Sequence, residues 1–116
     1  MKIRIKGNSI RYRLSKIDVD QFIKTGYLDE TVDFGSQRLI YALKKHDTPA
    51  LSASFEQNTI TIYMPVHMAM EWEASEKIGF NGYHDKLSIL IEKDFQCLDN
   101  TLEDQTDNYP NPALVC

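Results

Sequence analysis

Five cations open the chain in a pattern suited to holding an anion. Lys2, Arg4, Lys6, Arg11 and Arg13 occupy alternate positions in two short runs, and no carboxylate occurs before Asp18. Alternate residues of an extended strand share a face, so these side chains are expected to project together. Arginine offers paired donors that match phosphate or carboxylate oxygens, and lysine a point charge. The same pattern also suits a solvated or edge face, where cations discourage strand-to-strand aggregation, or a face neutralised by the acid-rich C-terminal segment of the same chain.

The opposite end carries the second set of candidates. Asp94, Asp99, Glu103, Asp104 and Asp107 follow one another with no Lys or Arg from residue 94 onward. Carboxylates are hard oxygen ligands for divalent cations, and Cys97 with a histidine would suit zinc. The metal candidates are therefore Cys97, Asp99, Glu103, Asp104 and Asp107. Their spacing departs from the calcium-loop pattern, and a solvated tail pinned by Pro110 and Pro112 is the competing reading. Cys97 and Cys116 are expected to be free thiols in a reducing compartment. His67 and Glu71 stand four apart on one helix face, as an acid–base pair would, whereas His46 and His84 fall in turns. No nucleophile elbow and no glycine-rich phosphate loop occurs. Triphosphate chemistry in a cation-lined barrel would need glutamates on the first strand, where Lys2, Arg4 and Lys6 stand. No cofactor is assigned, and the motifs decide neither for nor against catalysis.

The elements that must position these groups are short. Residues 2–6 alternate, Gly7-Asn8-Ser9 is turn chemistry, and Ile10, Tyr12 and Leu14 alternate again, which predicts a hairpin or one bulged strand. Ser15 and Asp18 form a capping box ahead of Val19, Phe22 and Ile23 at helical spacing, and Gly26 suits the stop. Alternation returns around residues 28–34 and 39–43. The pair 51–55 and 60–64 predicts a hairpin about Gln57-Asn58. Pro65 starts a second helix whose buried stripe is expected to be Val66, Ala69 and Met70, with Trp72 off it. Residues 78–95 read as two strands about a turn at His84-Asp85-Lys86. The segment 97–116 has no period and is irregular and acidic.

These elements predict an α+β fold: a curled antiparallel sheet, or partly open barrel, of about six or seven strands with two short helices. A chain of 116 residues suits one domain spanning 1–116. No internal repeat is visible. The expected core is Ile3, Ile5, Ile10, Tyr12, Phe22, Leu39, Tyr41, Phe55, Ile60, Ile62, Leu87, Ile89 and Ile91.

The opening Met1-Lys2-Ile3-Arg4-Ile5-Lys6-Gly7-Asn8-Ser9-Ile10-Arg11 resembles that of a family of small bacterial proteins known only as a domain of unknown function. Glu92-Lys93-Asp94-Phe95-Gln96-Cys97-Leu98, Glu103-Asp104 and Asp107-Asn108-Tyr109-Pro110-Asn111-Pro112 are similar to its C-terminal end. The resemblance covers nearly the whole chain. It implies a bacterial cytoplasmic protein and transfers no activity or site residue.

Net charge is −4, and Tyr12 is expected to face inward, so nucleic acid is a poor fit for the basic strands. No apolar run approaches the roughly 18 residues that span a bilayer, and no signal-peptide stretch opens the chain. The expected location is the cytoplasm. The leading functional expectation is a non-enzymatic binding or accessory domain that holds an anionic small molecule or acidic protein partner on the basic face. The alternatives are a metal-dependent enzyme built from the C-terminal carboxylates with Cys97 and a histidine, and a structural protein-interaction module without a small ligand.

Overall fold

The computed structural model describes residues 1–95 and Tyr109. The metal candidates Cys97, Asp99, Glu103, Asp104 and Asp107, together with Cys116, lie outside the described residues.

Turn chemistry is local, and it places the hairpins where the sequence puts them. Strands β1 (Lys2–Lys6) and β2 (Ser9–Leu14) pair antiparallel about Gly7-Asn8, with Gly7 at φ 54°. Helix α1 (Lys16–Thr25) begins at the predicted capping box: the Asp18 N–H donates to Ser15 Oγ at 3.2 Å, and the Ser15 N–H donates to Asp18 Oδ2 at 3.0 Å. It ends at Gly26, φ 77°, where glycine enters the left-handed region at no steric penalty. Strands β3 (Tyr27–Asp33) and β4 (Arg38–His46) follow. Then come β5 (Ser52–Glu56) and β6 (Thr59–Pro65), joined by Gln57 and Asn58, both at positive φ. This is the twist a two-residue hairpin needs. Helix α2 (Val66–Ala74) leads to β7 (Gly79–His84) and β8 (Leu87–Lys93), which turn at Asp85-Lys86.

The assembly of these hairpins differs from the expectation. Instead of a single curled sheet of six or seven strands, the described residues form eight strands in two four-stranded sheets, ordered β1-β2-β8-β7 and β3-β4-β6-β5. Neither closes into a barrel. The central pairs β2·β8 and β4·β6 are parallel, so both sheets are mixed. Parallel neighbours need a crossover, and here helices α1 and α2 carry the chain from one sheet to the other.

This arrangement contains a repeat that the sequence does not display. The half β1-β2-α1-β3-β4 matches β5-β6-α2-β7-β8, and each half gives one hairpin to each sheet. The registers agree residue by residue. Ile3↔Tyr12 corresponds to Ala53↔Ile62, Tyr12↔Ile91 to Ile62↔Leu43, and Leu28↔Leu43 to Phe80↔Ile91. The two halves are thus related by an approximate two-fold axis between the sheets, with α1 packed on α2.

The core lies between the sheets and beneath the helices. Tyr12, Leu14, Ile89 and Ile91 of the first sheet cluster with Leu43, Ile62 and Met64 of the second and with Phe22, Ala69 and Trp72. The Tyr12 hydroxyl donates to the Ile60 carbonyl at 3.3 Å, tying the sheets together, and burial pushes its pKa upward. Two expected core residues are exposed instead: Ile5 by 58% and Phe55 by 70%. They occupy equivalent positions beside the two hairpin turns, where alternation continues but the packed interior has ended. On α2 the expected stripe is also displaced. Ala69 is buried, but Val66 and Met70 are exposed, while Trp72 is only 1% exposed. Periodicity marks an apolar stripe but not the side from which neighbours come, and here α1, β4 and β6 decide it.

Candidate functional site

On the outer face of the first sheet the registers line up three cross-strand rows. They are Lys2–Arg13–Glu92–Gly79, Arg4–Arg11–Leu90–Asn81, and Lys6–Ser9–Ser88–Tyr83. All five predicted anion-binding cations therefore stand on one face, because β1 and β2 alternate in phase across a two-residue turn.

The first row is neutralised from within the sheet. Glu92 is 3% exposed. It accepts from Arg13 Nε at 2.7 Å and lies 3.7 Å from Arg11 Nε. A buried carboxylate needs such partners to offset its lost hydration. The neighbouring strand closes over it at Gly79: an added Cβ there would collide with the Ile91 carbonyl oxygen and lie 2.7 Å from Glu92 Cα. Lys2 Nζ pairs with Asp94 at 2.8 Å. Arg13 Nη2 is buried without a hydrogen-bond partner among the described residues.

The other two rows are different in kind. Arg4, Lys6, Ser9, Arg11, Ser88 and Leu90 line a shallow pocket of about 150 Å³, and no carboxylate among the described residues lines it. Arg4 and Arg11 are direct cross-strand partners, which sets two guanidinium groups side by side on this wall, and arginine's paired donors match the oxygens of an anion. The Ser9 hydroxyl donates to the Lys6 carbonyl at 2.6 Å, which orients its oxygen along this wall. Sequence reasoning missed Ser9, Ser88, Tyr83 and Glu92 as parts of this face. Ser9 stands opposite Lys6 within the β1–β2 hairpin, whereas only the parallel pairing of β2 with β8 brings Glu92 and Ser88, and with them Tyr83, beside the cations.

The repeat supplies an internal comparison. The positions of Lys2, Arg4, Lys6, Ser9, Arg11 and Arg13 correspond on the second sheet to Ser52, Ser54, Glu56, Thr59, Thr61 and Tyr63. The same backbone thus forms an equivalent face bearing hydroxyls and one acid. The cations of the first sheet are not a requirement of the fold.

The histidines take structural places. The His84 Nδ1 accepts from the Ala53 N–H at 3.3 Å, and His46 stacks edge-on against Tyr63. His67 is exposed, and Glu71 lies 3.6 Å from Lys77. Among the described residues no cluster of three His, Cys, Asp or Glu could hold a metal ion.

The family comparison now bears on this face. The model of a family of unknown function, DUF7009, matches residues 1–113. The chain belongs to that family. No curated protein and no solved structure matches it. The membership agrees with the resemblance read from the N- and C-terminal segments, and DUF7009 brings no activity with it, so the face must be read from its chemistry. No helix among the described residues is long and apolar enough to cross a membrane.

Beside the basic face of this DUF7009 chain, the Met1 ammonium sits between Asp18 Oδ2 at 2.9 Å and Glu30 Oε2 at 2.8 Å, and the Tyr41 hydroxyl donates to the Met1 carbonyl. Burial would raise the Asp18 pKa, but hydrogen bonds from this ammonium and from Ser15 outweigh it and hold the carboxyl below 3.8. Burial would lower the ammonium pKa, and the two carboxylates outweigh that and raise it above 8.0. The carboxyl therefore adds stability above about pH 4 that is lost as the pH falls through its folded pKa. The ammonium adds stability below about pH 8 that is lost as the pH rises through its own. Thermal midpoints across pH 2–10 are expected to fall at both edges, and Asp18→Asn should flatten both flanks. A profile unchanged by Asp18→Asn would show that this contact is not coupled to folding.

Proposed function

We propose that this is a non-enzymatic binding domain that holds an anionic ligand or an acidic partner on the basic face of its first sheet. A cytoplasmic location in a bacterium is part of the proposal. The observation that carries it is the asymmetry of that face. Glu92 offsets Arg13 and lies 3.7 Å from Arg11, and Asp94 offsets Lys2, while Arg4, Lys6, Arg11 and two serines gather at one pocket whose lining among the described residues includes no carboxylate. The equivalent face of the second sheet, built on the same registers, carries no such group of cations. An edge that merely needed protection from aggregation would need it on both sheets.

The test is a thermal-shift titration at fixed ionic strength with inorganic phosphate, tripolyphosphate and a poly-glutamate peptide. A ligand bound only by the folded state stabilises it by about 2.7 kcal/mol at a hundredfold excess over its dissociation constant. We expect at least one of these anions to raise the midpoint, and Lys6→Glu or Arg4→Glu to abolish the rise while the free protein stays folded. Equal shifts in the charge-reversed variants would rule the face out as the binding site.

A further inference from the structure

A second concavity lies at the helix end of the molecule, away from the cation rows. It has a volume of about 470 Å³ and opens between α1, α2 and the last residues of β2 and β8. Leu14 and Trp72, both buried, form its floor, with half-buried Val19 and Ile23 as walls and Phe95 at the lip. Such a size and apolar lining are those of small-molecule sites, which add a few polar groups to set orientation.

The charged groups around the opening define what those polar groups select. Lys16 and Lys24 stand one turn to either side of Asp20 on α1, Glu73 faces from α2, and Lys93 and Asp94 come from the end of β8. Asp94 is engaged by Lys2. Among the described residues, and with Asp94 already paired to Lys2, three ammonium groups therefore face the carboxylates of Asp20 and Glu73, leaving an excess of one positive charge over an apolar floor. Across the approximate two-fold, Lys16 and Lys24 correspond to Val66 and Ala74, so helix packing in this fold does not demand the lysines.

We infer that this groove binds a small amphipathic monocarboxylate, with its apolar part on Leu14, Val19, Ile23 and Trp72 and its carboxylate among Lys16, Lys24 and Lys93. A single negative charge balances the rim, and the apolar body covers the half-buried Val19 and Ile23, which otherwise border water. Apart from Asp94, which pairs with Lys2, the groove shares no residue with the basic sheet face, and its contacts to the ligand do not depend on that face.

Trp72 is the sole tryptophan, so its emission reports on the groove directly. The full chain is titrated with sodium octanoate at constant ionic strength, with octylamine as the probe of equal length and opposite charge. Octanoate should give a saturable change in Trp72 emission, and octylamine a weaker one. Lys16→Glu and Lys24→Glu, both at exposed positions, should raise the octanoate dissociation constant by roughly tenfold or more, equivalent to losing one good charged contact. Arg4→Glu should leave it unchanged, which separates this site from the sheet face. Octylamine binding as tightly as octanoate would overturn the inference. So would unchanged affinity in both lysine variants whose thermal midpoints match the parent, or a response that never saturates.

Discussion

Trp72→Ala is expected to lower the unfolding free energy by about 4 kcal/mol, the range found when a large buried aromatic is truncated and its cavity cannot collapse. Trp72 is 1% exposed and touches both the helix layer and the sheet. Its Nε1–H donates to the Ile78 carbonyl at 3.2 Å, and its ring meets Phe80 edge-on at 6.2 Å. Truncation removes the apolar area, the aromatic contact and a hydrogen bond at once. Trp72→Phe keeps most of the ring volume and should retain well over half of the stability. The measurement is urea unfolding followed by far-UV circular dichroism, since the variant loses its fluorophore. A loss below about 1.5 kcal/mol would mean that the layers repack freely around α2, contrary to the close packing expected of a protein interior.

Glu92→Ala should cost about 3 kcal/mol, because it leaves the partly buried Arg13 guanidinium without its carboxylate. Glu92, 3% exposed, lies 2.7 Å from Arg13 Nε and 3.7 Å from Arg11 Nε. Replacing both partners by apolar residues of similar volume, Glu92→Met with Arg13→Met, should recover much of the loss, since the penalty lies in the unpaired charge. A double-mutant cycle in chemical denaturation measures the coupling. A double variant no more stable than Glu92→Ala alone would refute the pairing account. These substitutions also separate architecture from binding. Glu92 and Arg13 hold β2 to β8, so they should move stability, whereas Lys6 and Arg4 lie at the pocket and should move anion affinity.

Much of the local structure was legible in the residues. The Ser15–Asp18 box, Gly26, Gln57-Asn58 and the Asp85-Lys86 turn each act within a few positions of themselves, so their chemistry can be read without tertiary partners. The common face of Lys2, Arg4, Lys6, Arg11 and Arg13 was legible for the same reason, since a two-residue turn keeps two alternating strands in phase. The burial of Trp72 in place of Met70 was not. Both are apolar residues on one helix, and which of them is enclosed depends on where α1, β4 and β6 stand.

The amino-acid sequence by itself determined the β1–β2, β5–β6 and β7–β8 hairpins, both ends of α1 and the clustering of cations on one strand face. Pro65, read as the first residue of the second helix, instead ends β6 and precedes α2. The tertiary structure alone decided that each half gives one hairpin to either sheet, that β2 lies parallel to β8 and β4 to β6, and that Glu92 and Ser88 therefore stand beside the arginines. The physical reason is range. Turns and caps are settled by contacts between residues a few positions apart, whereas the pairing of β2 with β8 joins residues 79 positions apart in the chain. Nothing in the alternation of either strand names its partner, because any two strands with an apolar face satisfy the same pattern.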